Sequence, residues 1–174
     1  MHRVTANACQ ALALMVLAGC TSVPRGLQPV GNFEANRYLG RWYEIARLDH
    51  SFERGLTRVT AEYSMKGDGS VQVVNRGYNA RRDKWQEARG VARFIGPSDI
   101  ASLKVTFFWP FYGGYHVIAL DHEGYGYAMV TSSSRSYLWI LARQKHLEPA
   151  VRDELLTKAK QWGFRTENLI FVEQ

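Results

Sequence analysis

Apolar and polar residues alternate with a period of two through most of the chain between residues 41 and 143, which is the pattern of half-buried β-strands. Turn-forming residues such as Lys66–Gly69 and Asp121–Gly124 interrupt the alternation at intervals of about 8–12 residues, as in hairpin-built sandwiches and barrels. Together with the run Arg41–Leu48, the pattern predicts eight strands. The residues expected to share the inner face are Val59, Ala61 and Tyr63; Val71, Val73 and Asn75; Ala88, Gly90, Ala92 and Phe94; Leu103, Val105 and Phe107; Tyr115, Val117 and Ala119; Ala128 and Val130; and Tyr137, Trp139 and Leu141.

This inner face mixes large side chains with alanine and glycine, which would leave room inside a closed sheet. A sandwich would normally fill that space, whereas an eight-stranded barrel can hold one small ligand. The composition of the inner face therefore favours a barrel with a cavity.

One helix is predicted after the strands. Pro149 suits its first turn, Val151, Leu155, Ala159 and Trp162 form an apolar stripe at helical spacing, and Gly163 suits the C-terminal cap. Leu169–Val172 then predicts a short ninth strand. The predicted fold is all-β, an eight-stranded antiparallel barrel with a C-terminal helix and a short closing strand.

The N-terminal segment has the layout of a secretory signal peptide: Met1–Arg3 is basic, Ala11–Leu17 is apolar, and small residues follow. The apolar run is too short for a spanning helix, which needs roughly 18 residues. Leu17-Ala-Gly-Cys20 resembles the bacterial lipobox, which implies cleavage before Cys20 and acylation of that residue. We therefore divide the chain into a signal peptide (1–19), an acylated Cys20 with a Pro- and Gly-containing tether (20–31), and a domain (32–174).

The formal net charge is +6. A basic excess can indicate nucleic acid, an anionic lipid surface or an anionic ligand. Arg81-Arg82 is the only adjacent basic pair and acids are interspersed elsewhere, so with export expected we predict no nucleic-acid partner. Cys9 would leave with the signal peptide and Cys20 would be a thioether, so no disulfide is expected.

Three motifs along the chain resemble those of the lipocalins. Asn32–Ala46 contains the Gly-x-Trp core of the first motif as Gly40 and Trp42, Leu120-Asp121 resembles the second, and Tyr137–Arg143 resembles the third. With the lipobox, Phe52–Gly55 and Phe107–Gly114, the chain resembles the bacterial outer-membrane lipoprotein lipocalins. Thr21 after the cysteine, in place of Asp, implies sorting to the outer membrane.

The resemblance implies an up-and-down calyx that is closed at one end. Gly40, Trp42 and Arg143 would have structural roles at that end, with the Arg143 guanidinium across the Trp42 ring. Such a cation–π contact stabilises by roughly 0.5–2 kcal/mol.

Glu44 is expected on the inner face with Trp42 and Ala46. Its carboxylate would either bind a ligand amine or hydroxyl, or pair with an arginine such as Arg143 near the floor. The candidate ligand-binding residues are Glu44, Ala46, Val59, Asn75, Ala92, Val105, Phe107, Tyr115, Val117, Tyr137 and Trp139.

Phe107–Tyr112 is predicted to be a loop between the fifth and sixth strands at the open mouth, and Phe108, Trp109, Phe111 and Tyr112 make it unusually apolar. Three uses compete: a gate for the ligand, a surface that touches the membrane, and a contact in a homodimer. A loop that folds over its own barrel is the fourth alternative.

Catalysis has little support in the sequence, which lacks a nucleophile elbow, a phosphate-binding loop and a zinc-protease motif. The five histidines show no metal-ligand spacing and are expected to be solvated. We predict a protein without enzymatic activity, cofactor or metal, which carries or stores fatty acids or lysophospholipids while anchored to the periplasmic side of the outer membrane. A scaffolding lipoprotein with a filled barrel and a lipid hydrolase are the rival hypotheses.

Overall fold

The computed structural model describes residues 21–174, and the predicted signal peptide and Cys20 lie outside the described residues. Nine strands form one antiparallel sheet in this part of the chain. Their bounds are β1 Gly40–Leu48, β2 Leu56–Met65, β3 Val71–Asn79, β4 Lys84–Phe94, β5 Ser102–Phe108, β6 Phe111–Leu120, β7 Tyr127–Thr131, β8 Leu138–Ala142 and β9 Leu169–Phe171. Helix α1 spans Ala35–Tyr38 and helix α2 spans Pro149–Gln161.

Consecutive strands pair from β1 to β8, and β1 also pairs with β8, so the first eight strands close into an up-and-down barrel. The predicted barrel, helix and ninth strand are therefore confirmed. The ninth strand pairs with the C-terminal half of β1, at Ala46, Arg47 and Leu48.

A β-bulge in β1 reverses which residues of its second half point into the barrel, compared with the prediction from alternation. Glu44 pairs with Leu141 and Ala46 with Ile140, so one residue of β1 has no counterpart on β8. Ile45 and Ala46 consequently both lie in the cluster outside the barrel, and Arg47 turns inward. The prediction that Ala46 faces the cavity is wrong, because strict alternation takes no account of the extra residue.

The outer apolar cluster lies between the barrel wall and α2. Leu155 and Ala159 of the predicted stripe are buried there against Met129, Leu138 and Ile140. Gly163 follows the helix with φ +80°, the left-handed conformation that a glycine cap adopts without steric cost.

The two ends of the barrel differ. The closed end carries α1, the first residues of β1 and the loop between β6 and β7. The open end is surrounded by the loops 49–55, 80–83, 109–110 and 132–137. At the open half, β1 and β2 separate after Tyr43↔Thr60. The side-chain amide of Gln174 bridges this seam by donating to the carbonyls of Glu44 (2.6 Å) and Val59 (3.0 Å).

Much of the segment predicted as a tether lies against the barrel. The amide of Val30 donates to the carbonyl of Val117 (2.9 Å), Leu27 is buried in the outer cluster, and the Arg25 carbonyl accepts a hydrogen bond from Arg135 (2.8 Å). The backbone of Thr21 lies beside Gly114 and His116. Residues 21–31 are therefore not a free linker. Among the described residues, no helix has the length and apolarity needed to span a membrane.

Candidate ligand-binding cavity

The barrel encloses a cavity of about 620 Å³ that opens between the loops of the open end. A volume of roughly 300–1,000 Å³ is typical of sites that bury a small organic ligand. Eight of the predicted ligand-binding residues line this cavity: Val59, Asn75, Ala92, Val105, Phe107, Tyr115, Tyr137 and Trp139. Glu44, Ala46 and Val117 do not.

Val117 lies in the inner apolar cluster and is fully buried among its neighbours. It therefore contributes to the packing around the cavity and not to its surface. Alternation along β6 predicts its inward direction but gives no information on how deeply neighbouring side chains cover it.

Trp42 closes the floor of the cavity. Its ring is fully buried and its Nε1 donates to the carbonyl of Tyr38 (2.8 Å). The Arg143 guanidinium carbon lies 4.0 Å from the centre of the Trp42 ring, as predicted, and its nitrogens donate to the carbonyls of Arg37, Leu39 and Arg41. One side chain thus ties α1 and the beginning of β1 to the end of β8.

Three tyrosine hydroxyls form the polar part of the deep cavity wall. The hydroxyl of Tyr115 lies 2.7 Å from that of Tyr38 and 2.8 Å from that of Tyr63. Burial raises the pKa of all three phenols, which keeps them protonated. The deep end therefore offers neutral hydroxyls, and the rest of this wall is apolar.

Glu44 pairs with Arg47 and not with Arg143. Its Oε1 lies 2.6 Å from Nη1 of Arg47, and both side chains are almost fully buried. Burial, followed by the nearby charge of Glu53, raises the pKa of Glu44 well above its usual range, although Arg47 opposes the shift. Of the two predicted roles for Glu44, ligand binding and pairing with an arginine, the structure shows the ion pair. The partner is Arg47 and not Arg143, because the bulge turns Arg47 inward.

A second polar group lies nearer the open end and was missed by the sequence interpretation. Glu53 Oε2 accepts a hydrogen bond from Trp139 Nε1 (3.0 Å) and lies 3.0 Å from His50 Nε2. Burial alone would raise the pKa of Glu53, but the contacts with His50 and Trp139 and the charge of Arg47 outweigh it and lower the pKa. The spacing of His50 and Glu53 gives no signal of this contact, because a loop brings them back over Trp139.

Of the four histidines in residues 21–174, two are buried, contrary to the expectation that they are solvated, and His2 lies outside the described residues. His50 packs edge-on against Trp139, and His116 is fully buried with Nδ1 3.0 Å from Ser102 Oγ. Burial lowers the pKa of His116. No group of three or more His, Cys, Asp or Glu side chains in residues 21–174 is placed to hold a metal ion.

The apolar segment predicted as a loop is mostly strand. β5 continues to Phe108 and β6 begins at Phe111, so only Trp109 and Pro110 form the turn. This hairpin lies at the open end, as predicted, where Phe108, Phe111 and Tyr112 line the cavity entrance. The side chains of Phe108, Trp109 and Phe111 are about 80% exposed (81%, 80% and 78%). In the described chain, therefore, the hairpin does not fold over the barrel.

A closed antiparallel barrel with a plugged floor, an open apolar cavity and a flanking helix defines a calyx-type ligand-binding protein. Residues 33–174 match the lipocalin-like domain family, and the chain belongs to the lipocalins.

The chain is 48% identical over 163 residues to the outer membrane lipoprotein Blc of Vibrio cholerae, covering 94% of this chain and 95% of that relative. It is 51% identical over 166 residues to the protein of the same name from Escherichia coli strain K12, covering 94% and 93%. The structure of insecticyanin from the tobacco hornworm Manduca sexta superimposes with a TM-score of 0.69 at 18% identity, covering 88% of this chain and 87% of that one. That likeness shows the fold.

Proposed function

We propose that this lipocalin carries or stores single-chain lipids, fatty acids or lysophospholipids, in the bacterial envelope. The observation that carries the proposal is the open cavity with an almost wholly apolar middle section. Burial of an acyl chain is worth about 0.8 kcal/mol per methylene, so such a cavity can hold a long chain without specific contacts. Because side chains leave this volume inside the barrel unfilled, the cavity also favours a carrier over a scaffold with a filled barrel.

The polar groups at the two ends of the cavity support an orientation for the lipid. His50, Glu53 and the ion pair of Arg76 with Glu87 line the entrance, whereas the deep wall has only the neutral tyrosine hydroxyls. A charged headgroup would lose its hydration in the deep end, which costs free energy unless it is paired. We place the headgroup at the entrance and the acyl chain inside, in contact with Val59, Ala92, Val105 and Phe107. We assign no catalytic role to any residue of the cavity.

A titration with a fluorescent fatty acid, followed by displacement with unlabelled fatty acid or lysophospholipid, tests this function. The protein should saturate near one ligand per barrel. Ala88→Trp should abolish binding, because Ala88 lines the cavity and the indole would fill it. Arg89→Trp is the matched control, since the next residue of β4 points to the opposite face. Equal binding by both variants, or release of a hydrolysis product, would contradict the carrier function.

The proposed location is the periplasmic side of the outer membrane, through acyl chains on Cys20. The lipobox and the two lipoprotein relatives support this placement. Cys20→Ser should yield a protein that an alkaline carbonate wash releases from membranes, whereas the parent should stay with the outer-membrane fraction. A Cys20→Ser protein that resists the wash, or a parent found in the inner membrane, would refute the assignment.

A further inference from the structure

Large aromatic side chains are exposed together at the open end of the barrel. Phe108, Trp109 and Phe111 project from the β5–β6 hairpin, and Phe52, which is 73% exposed, projects from the β1–β2 loop across the entrance. We call these four residues the rim. A soluble surface rarely carries so much apolar area in one place unless that area contacts a partner.

Basic residues lie beside the rim. The β3–β4 turn at the same end contains Arg81 and Arg82, and Lys84 begins β4 directly after it. None of these three cations has an ion-pair partner among the described residues. The one acid in this turn, Asp83, accepts a hydrogen bond from the Tyr78 hydroxyl. Exposed Trp85 follows the turn. Aromatic side chains next to unpaired cations match the interface of a bilayer that contains anionic lipids.

The path of the N-terminal segment supplies an independent argument. The Thr21 carbonyl lies beside Gly114, which is three residues from Phe111 on β6. At about 3.3 Å per strand residue, Thr21 is roughly 10 Å below the rim. Cys20 precedes it directly, so acyl chains on Cys20 would enter the bilayer on the side to which the rim points. An anchor at the closed end would leave the rim facing away from the membrane.

We propose that the open end of the barrel docks on an anionic phospholipid bilayer through the rim and the basic segment Arg81–Lys84. In this pose the cavity entrance faces the bilayer, so a lipid passes between membrane and cavity without crossing water. The docking surface is a property of the folded chain and does not require a bound lipid. The direct passage rests on the proposed carrier function.

Vesicle binding tests the docking. The chain lacking residues 1–19 and carrying Cys20→Ser has no acyl anchor, so any binding must come from its surface. Vesicles of phosphatidylglycerol and phosphatidylethanolamine should bind it, phosphatidylcholine vesicles should bind it more weakly, and added salt should reduce the difference. Trp109→Ser with Arg81→Gln and Arg82→Gln should weaken binding by more than roughly 30-fold, since each of the two cations contributes about fivefold and the interfacial indole adds to their effect. None of these three residues lines the cavity.

A matched control removes similar groups from the closed end. Met65 and Ile95 are exposed apolar residues there, and Lys66 and Lys145 lie in the neighbouring loops. Met65→Ser and Ile95→Ser with Lys66→Gln and Lys145→Gln should leave vesicle binding unchanged. Equal losses in both variants, or no vesicle binding by the parent, would overturn the proposal. A rim variant that changes only from dimer to monomer would also overturn it and would identify a second copy of this chain as the partner.

Transfer kinetics separate docking from ligand binding. The parent, loaded with a fluorescent fatty acid, should deliver it to anionic vesicles at a rate that rises with vesicle concentration. The variant with Trp109→Ser, Arg81→Gln and Arg82→Gln should bind the fatty acid with unchanged affinity but transfer it at a rate independent of vesicle concentration. If the protein binds no fatty acid, the carrier function fails while vesicle binding still decides the docking. If transfer by the parent is independent of vesicle concentration, direct passage is refuted.

Discussion

The guanidinium of Arg143 stacks on the fully buried ring of Trp42 at 4.0 Å and joins the last strand of the barrel to its first. The arginine also donates to the carbonyls of Arg37, Leu39 and Arg41, so its loss would remove three hydrogen bonds as well as the stacking contact. The pair therefore closes the floor by stacking and by hydrogen bonding at once.

Trp42→Ala should reduce the free energy of unfolding by about 3–5 kcal/mol, as for large aromatic residues in cores. Arg143→Ala should also be costly, and the double variant should lose less than the sum because both changes remove the same contact. Denaturant titrations of the four proteins measure the coupling. Arg41→Ala is the control: its ion pair with Glu62 is exposed and worth about 0–1 kcal/mol. Additive losses at 42 and 143 would contradict the coupling.

Arg47→Met should destabilise the protein by about 3–5 kcal/mol at neutral pH, because it leaves the Glu44 carboxylate buried without its partner. Since burial raises the pKa of Glu44, its neutral form is favoured in the folded state. The contribution of the protonated Glu44 carboxyl to folding stability is fully present below the ordinary glutamate pKa and is lost as the pH rises through the folded-state pKa. The deficit should therefore shrink toward about pH 5 and grow toward alkaline pH.

Unfolding measured across this pH range checks the sign. The double variant Glu44→Gln with Arg47→Met should lose the part of the pH dependence that comes from Glu44, and only the smaller part that comes from Glu53, whose pKa Arg47 also lowers, should remain. A deficit in Arg47→Met that grows as the pH falls would show that Glu44 is not the group responsible.

Asp121→Asn should remove part of the acid sensitivity of the fold. The Asp121 carboxylate accepts backbone N–H groups from Glu123, Gly124 and Gly126. Burial opposes the effect of these bonds, but together with Arg37 they lower the pKa of Asp121. The stability from this group is thus present above the ordinary pKa of about 3.9 and lost as the pH falls through the folded-state pKa.

Acid unfolding curves of the parent and Asp121→Asn make the comparison. The variant should be less stable by about 1 kcal/mol at neutral pH, the value of one hydrogen bond, and should approach the parent in acid. Asp153→Asn, in an exposed pair on α2, is the control and should run parallel to the parent. A constant difference at every pH would mean that Asp121 does not titrate with folding.

Tyr115→Phe should destabilise the protein by about 1–3 kcal/mol, because the Tyr115 hydroxyl is hydrogen-bonded to the hydroxyls of both Tyr38 and Tyr63. Tyr63→Phe should cost less, since it breaks one of the two hydrogen bonds. Tyr127→Phe is the control on the outer side of the barrel, where the hydroxyl makes no hydrogen bond in the described structure. Thermal unfolding ranks the variants, and equal effects at positions 63 and 115 would contradict the central role of Tyr115.

The sequence by itself determined the strands and the C-terminal helix. Alternation locates strands because successive side chains of a strand point to opposite faces, and the Gly163 cap and the Val151–Trp162 stripe likewise follow from local geometry. The Trp42–Arg143 contact came from the resemblance to the lipocalins, since the two residues are distant in sequence. Most of the cavity wall was predictable for the same reason as the strands: inward positions at period two line a barrel once it closes.

The tertiary structure alone decided the partners of the buried charges. One extra residue in β1 turns Ala46 outward and Arg47 inward, and no residue in this strand signals the bulge. The contact of His50 and Glu53 with Trp139 depends on how the β1–β2 loop folds over β8. The burial of His116 depends on residues 21 and 22 lying against it. Each of these contacts joins residues that are distant in the chain or that are displaced by an irregularity. The local pattern of apolar and polar residues therefore does not predict it.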